Sequence, residues 1–160
     1  MSRFHGLLCA ASFFAMAWAS AARADTDACT LLTPAQVGAA AGVAVGSGTH
    51  VTPTFVKTCT WTPSTKTAIS AITLNLQTAA FYDGGKQQVA MAMAAAGGGD
   101  ARMKPASVGD DAYYFVTGDQ VMLWVKKGVV SFKVAVYAKM PLADKEAVEM
   151  KLAKDVVAKL

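Results

Sequence analysis

Between Ala112 and Tyr137 the chain reads as three strand-length runs rich in β-branched and aromatic residues, near Ala112 to Val116, Gln120 to Lys126 and Val129 to Tyr137. They are separated by Gly118-Asp119 and Lys127-Gly128. Two-residue connections that contain a glycine join neighbouring antiparallel strands, whereas parallel strands need a crossover of a dozen or more residues. This part of the chain is therefore restricted to an antiparallel meander. Its middle run, "QVMLWVK", is apolar at successive positions, so the sheet is expected to be covered on both faces there.

Upstream, "TCTWT" (Thr58 to Thr62) reads as a strand, and "AISAITLNLQ" alternates. Ser70, Ile72, Leu74 and Leu76 fall on one face and Ala71, Thr73, Asn75 and Gln77 on the other, the pattern of a half-buried antiparallel strand. Three helices accompany these strands. The first is marked by Thr33 as cap, Pro34 at the first helical position, Gln36 placed to complete a capping box and Leu32 with Val37 placed for a hydrophobic staple; Gly42 ends it. The second runs from about Gly84 to Ala96 and stops at Gly97 to Gly99. The third runs from about Leu142 to Leu160, with Val148, Leu152, Val156 and Leu160 on a core-facing stripe flanked by Ala153 and Val157. "VAVGSGTHVTPTFVK" reads as a loop or weak edge strand, and "DARMKPAS" as a loop. The order helix, two strands, helix, three strands, helix implies an α+β fold with an antiparallel sheet of about five strands flanked by helices.

Arg3 and His5 followed by the apolar run Gly6 to Ala22 and the small-x-small ending Ala22 to Ala24 read as a signal peptide, residues 1–24. The run is about as long as a minimal membrane span, so a retained anchor is the rival reading. The small-residue ending and Asp25 favour cleavage. Neither Cys9, early and behind Leu8, nor Cys29, beyond the apolar run, sits in a lipoprotein box. Residues 25–160 then form one domain with one core, expected in the periplasm or secreted. Losing Arg3 and Arg23 leaves 13 Lys and Arg against 11 Asp and Glu, scattered without a basic block, so nucleic acid is an unsuitable partner. The mature chain keeps Cys29 and Cys59 alone, which in an oxidising compartment most simply form one disulfide.

The chemistry-bearing candidates are few. Asp110 and Asp111 are adjacent, and adjacent side chains of a strand point to opposite faces, so they are not placed to work as an acid and base on one bond. The expected role of Gly109, Asp110 and Asp111 is a structural turn: Gly109 with positive φ, one Asp bonding nearby amides at the start of a strand, the other exposed. "DGG" at Asp83 and "GGGD" at Asp100 are too sparse for a calcium site. Met91, Met93 and Met103 raise the alternative of a periplasmic metal-handling protein with soft thioether ligands. Residues two apart on a helix diverge by roughly 200°, however, so core packing is the preferred role for these methionines. Tyr113, Tyr114, Trp61 and Trp124 are likewise expected in core and sheet surface. His50, the sole histidine after the leader, lies in a Gly, Ser and Thr-rich stretch and is expected to be solvated. Without a Gly-x-Ser-x-Gly elbow or a phosphate loop, no enzyme and no cofactor is implied.

"ACTLLTPAQVGAAAG" followed by "CTWT", then "VGDDAYY", a hairpin with "KKG" and a helix ending in Leu resembles a family of small exported bacterial domains of unknown function, many of them actinobacterial envelope lipoproteins. The resemblance implies a sheet flanked by helices, Cys29 and Cys59 as the family's paired cysteines, and Gly109 to Tyr113 as its "GxxAY" turn. It implies no catalytic residues, and the chain departs from those relatives in lacking the lipobox. Together these readings describe a non-catalytic binding or interaction module of the cell envelope. Its partner would be an unknown envelope protein or a small apolar ligand, docking where the loops Val43 to Lys57 and Gly97 to Asp111 meet.

Overall fold

A computed structural model describes residues 26–95 and 99–160. The expected leader, its cleavage site and the glycines at 97 and 98 lie outside them. The described chain folds as α1 (Ala28–Leu31), α2 (Pro34–Ala41), β1 (Thr49–His50), β2 (Thr58–Trp61), β3 (Ile69–Thr78), α3 (Ala79–Ala95), β4 (Arg102–Pro105), β5 (Asp111–Thr117), β6 (Gln120–Lys127), β7 (Val130–Ala138) and α4 (Leu142–Val157). All strands join one antiparallel sheet in the order β1-β2-β3-β7-β6-β5-β4.

The α+β class and the antiparallel sheet agree with the sequence reading, but the sheet has seven strands and not about five. The two additions are its edges. β1 lies in the stretch that reads as a loop or weak edge strand. β4 lies in "DARMKPAS", where Arg102, Lys104 and Pro105 give no alternating signal because an edge strand buries little of either face. A further short helix, α1, precedes the expected first one and starts on Asp27, whose carboxylate accepts from the amide of Cys29 at 2.7 Å.

α2 begins as its residues dictate: the Thr33 hydroxyl accepts from the amide of Gln36, the Gln36 side chain accepts from the amide of Thr33, and Gly42 closes the helix at φ 69°. Leu32 and Val37 are both buried in the core. Cys29 and Cys59 form a disulfide, Cα to Cα 5.0 Å, which ties α1 to β2. Gly48 lets the approach to β1 pass so near Cys59 Sγ and the Trp61 indole that no Cβ would fit there.

The hydrophobic core lies on one face of the sheet. Ile72, Leu74, Leu76, Val121, Leu123, Val125, Phe132, Val134 and Val136 bury there against Val148, Leu152, Ala153 and Val156 of α4 and against the α1–α2 segment. In β3 a shift of register between Ile69 and Ala71 turns Ile69 inward and leaves Ser70 exposed, where its hydroxyl donates to the Tyr137 carbonyl. Strict alternation places Ser70 on the buried face; the bulge overrules it.

α4 also carries two charged residue types into this core. Lys145 Nζ donates to the Asp119 carbonyl in the β5–β6 turn at 2.6 Å, and Lys145 is almost fully buried. The β6–β7 ladder ends at Met122 opposite Ala135, and the next outward amide, that of Val136, donates to Glu149 Oε1 at 3.0 Å. Glu149 thus takes the place of a strand partner where β6 and β7 separate. Burial pushes its carboxyl up to about 9, so it holds a proton at neutral pH, and its Oε2 has no hydrogen-bond partner.

α3 starts at Ala79, immediately after β3, and not near Gly84. Topology sets its path. The chain must travel from β3 to the far edge at β4, four strand spacings or about 19 Å, and a seventeen-residue helix spans about 25 Å. α3 therefore runs across the strands on the face opposite α4, touching β3, β7 and β6 in turn.

Candidate binding face

Alternation defines what the α3 side of the sheet presents. The register places Thr58, Asn75, Lys133, Trp124 and Tyr113 in one cross-strand row, from β2 to β5. The adjacent row is Thr60, Thr73, Ala135, Met122, Phe115 and Met103. A third row, Gln77, Ser131, Lys126 and Asp111, runs beneath the first half of α3.

Cover over these rows is uneven: Ser131, Tyr113 and Ala135 are buried, whereas Trp124, Lys133, Met122, Phe115 and Met103 keep part of their surface open. Tyr82 is the one buried residue among the described side chains of α3; it packs on Tyr113 with ring centres 5.4 Å apart. Its hydroxyl lacks a regular hydrogen bond, and burial, reinforced by the nearby Asp111 carboxylate, raises its pKa and keeps it protonated. Asp83 pairs with Lys126 at 2.8 Å, and Lys86 pairs with Asp111 at 2.6 Å while lying 5.8 Å from the ring centres of Tyr82 and Tyr113. Beyond Lys86 most residues of the helix are exposed. Met122, Trp124 and Phe115 are consequently only partly buried, and Phe81 and Tyr137 are 56% and 40% exposed. The expectation that β6 is covered on both faces thus holds fully on the α4 side and only in part on this one.

Trp124 is the centre of the open region. Tyr113 and Phe81 both stack with it, at 6.3 and 6.4 Å between ring centres and with planes within 12°. Lys133 Nζ lies 5.3 Å from the Trp124 ring centre, and desolvation lowers the lysine's pKa. The Asn75 amide beside it donates to the Thr58 hydroxyl.

The residues singled out from sequence have other surroundings. Gly109 has φ 68°, and a Cβ there would lie 2.6 Å from the Lys126 carbonyl oxygen. Asp110 sends its carboxylate to the β6–β7 turn, accepting from the Gly128 amide at 2.7 Å and from Lys127 Nζ at 2.9 Å. The Gly128 bond, with Lys127, holds its pKa below the usual carboxylate value, as the Lys86 hydrogen bond does for Asp111. The two carboxylates therefore diverge to separate partners. Asp111 is not merely exposed: it anchors α3 to the sheet.

His50 is not free in solvent. Its Nε2 lies 2.8 Å from Asp27 Oδ1, joining edge strand β1 to the cap of α1, and that hydrogen bond lowers the Asp27 pKa. Asp27, Cys29 and His50 bring a carboxylate, a sulfur and an imidazole within 4.8 Å of one another, but the sulfur belongs to the disulfide and supplies no thiolate. Met91 and Met93 both sit in α3, so they leave the helix in directions roughly 200° apart. Met91 is 57% exposed, which overturns the expectation that it packs in the core. The two loops expected to form a docking site do not converge: the first leads through β1 and the second leads through β4, the opposite edges of the sheet.

This geometry defines a seven-stranded antiparallel α+β domain with one sealed face and one half-covered, aromatic face. Among the described residues no helix is long and apolar enough to cross a membrane. No family model, curated protein or solved structure matches the chain.

Proposed function

We propose that this chain is an exported, non-catalytic binding module of the cell envelope, held together by the Cys29–Cys59 disulfide and related in kind to the small envelope domains its motifs resemble. The observation that carries the reading is the half-covered face around Trp124, where stacked rings and a cation 5.3 Å away line an open surface. Partly exposed aromatic side chains beside placed polar groups are what ligand sites use for affinity and orientation. The divergence of Asp110 and Asp111 removes the pair of acids that an acid–base enzyme would use, and supports binding over catalysis. The leader-like first residues and the disulfide favour export.

Native mass spectrometry of the protein from a periplasmic fraction tests this. A retained small molecule or protein partner is expected. An apo mass under gentle conditions, together with a turnover activity in the same preparation, would overturn it.

A further inference from the structure

Three lysines converge on the α3 side of the sheet, and they are not equivalent. Lys86 meets Asp111 and Lys126 meets Asp83, whereas Lys133 meets no carboxylate among the described residues. An ammonium ion partly removed from water without a counter-charge is unfavourable, and its stacking against Trp124 compensates only in part. Its own row, Thr58, Asn75, Trp124 and Tyr113, and the row through Ala135, Thr60, Thr73, Met122, Phe115 and Met103, carry no acidic side chain; the row on its other side, through Ser131, holds Asp111, which pairs with Lys86.

Ala135 stands two residues from Lys133 on the same face of β7, and from it Met122, Phe115 and Met103 continue across three strands to the sheet edge. That apolar strip is about 14 Å long. Met122, Phe115 and Met103 are all only partly buried. A cation with no carboxylate partner among the described residues, beside one end of a partly open apolar strip, is complementary to a molecule with one anionic head and one apolar chain.

We propose that the α3 side of the sheet binds a small amphipathic anion, with Lys133 meeting its head group and Met122, Phe115 and Met103 receiving its chain. This rests on the reading of the protein as a binding module and names the class of ligand. Unbranched thioethers suit the role because they adapt to chains of differing shape. Trp124 forms the floor between head and chain.

The test is a titration of the purified protein with dodecanoate below its micellar range, and with methyl dodecanoate as the uncharged counterpart, read by tryptophan fluorescence. Trp61 is fully buried on the other face, so the response should come from Trp124 and disappear in Trp124→Phe. Saturable binding of dodecanoate is expected. The methyl ester should bind roughly tenfold more weakly or worse, as should dodecanoate to Lys133→Gln and Lys133→Met, because a charge-assisted contact is lost in each case. Lys133→Met keeps an apolar stem, and circular dichroism checks that both variants fold.

Equal binding of acid and ester, unchanged binding by the Lys133 variants, or no saturable binding of dodecanoate would overturn the proposal. So would self-association, seen by sedimentation without probe, that Lys133→Gln abolishes, since the face would then belong to a second copy. A neutral ligand retained in native mass spectrometry, with no dodecanoate binding, would leave the binding-module reading standing while this inference fails.

Discussion

The carboxylate of Asp110, the residue before β5, accepts a hydrogen bond from the amide of Gly128, 2.7 Å away in the turn between β6 and β7. In the same stretch the amide of Asp110 donates to the Lys126 carbonyl at 2.8 Å, so one residue grips the end of the neighbouring hairpin from both sides of its peptide. Gly109 makes this possible by taking a positive φ directly against that strand. "VGDDAYY" is thus a clamp between two turns.

Gly109→Ala should be the most damaging change in this stretch. It combines a left-handed backbone with a Cβ only 2.6 Å from the Lys126 carbonyl oxygen, and about 1 to 3 kcal/mol of stability should be lost. Asp110→Ala should lower the melting temperature more than Asp110→Asn, which keeps an acceptor for Gly128. Melting curves of the three variants check the order.

Asp110 and Asp111 should both titrate below 3.8, the first through Gly128 and Lys127 and the second through Lys86. Lowered folded-state values contribute stability above the unfolded pKa, and that stability is lost as pH falls through the folded values. Carboxyl carbon shifts followed by NMR measure this. Lys86→Met should move Asp111 upward and leave Asp110 in place, because the two acids have separate partners.

Glu149 should act in the opposite direction. The folded chain keeps its proton to about pH 9, whereas the unfolded chain releases it near 4.5. Between these values the unfolded state binds fewer protons, so this group's contribution is complete below the unfolded pKa and declines as pH rises, by up to about 1.4 kcal/mol per pH unit. Glu149→Gln, which imitates the protonated acid and keeps the acceptor for Val136, should flatten that slope. Denaturant melts should show it more stable than the parent at pH 8 and close to it at pH 4.

Reduction should loosen the N-terminal elements first. The disulfide joins residues 30 apart and ties α1 to β2, while β4 to β7 and α4 lie outside the loop. About 3 to 4 kcal/mol is expected from closing such a loop. Hydrogen exchange after reduction should rise in α1, α2 and β1 before it rises in β6 and β7. Equal protection throughout would contradict this.

Processing after Ala24 should give an exported form that begins at Asp25, as "ARA" implies. Intact mass of the periplasmic protein checks it.

Local chemistry alone determined the parts of this protein whose signals are complete within a few residues. The capping box at Thr33 and Gln36, the left-handed Gly42, the hairpin turns at Gly118 and Gly128 and the alternation from Ile72 to Leu76 could all be read in advance, because each is satisfied by near neighbours in the chain. The cysteine pair was legible for a different reason: with Cys9 assigned to the expected leader, Cys29 and Cys59 had only each other to pair with. Tertiary structure decided everything that depends on which strands lie side by side. The edge strand β4 exists only because β5 pairs with it, and Ser70 faces out only because a bulge lets β3 follow β7. Likewise, Lys133 became a candidate site residue only once the register set it beside Trp124, in no ion pair among the described residues. In the sequence it was one lysine in an alternating strand. Its lack of a counter-charge is a property of three dimensions, because charge pairing is decided by distances of a few ångströms between residues far apart in the chain.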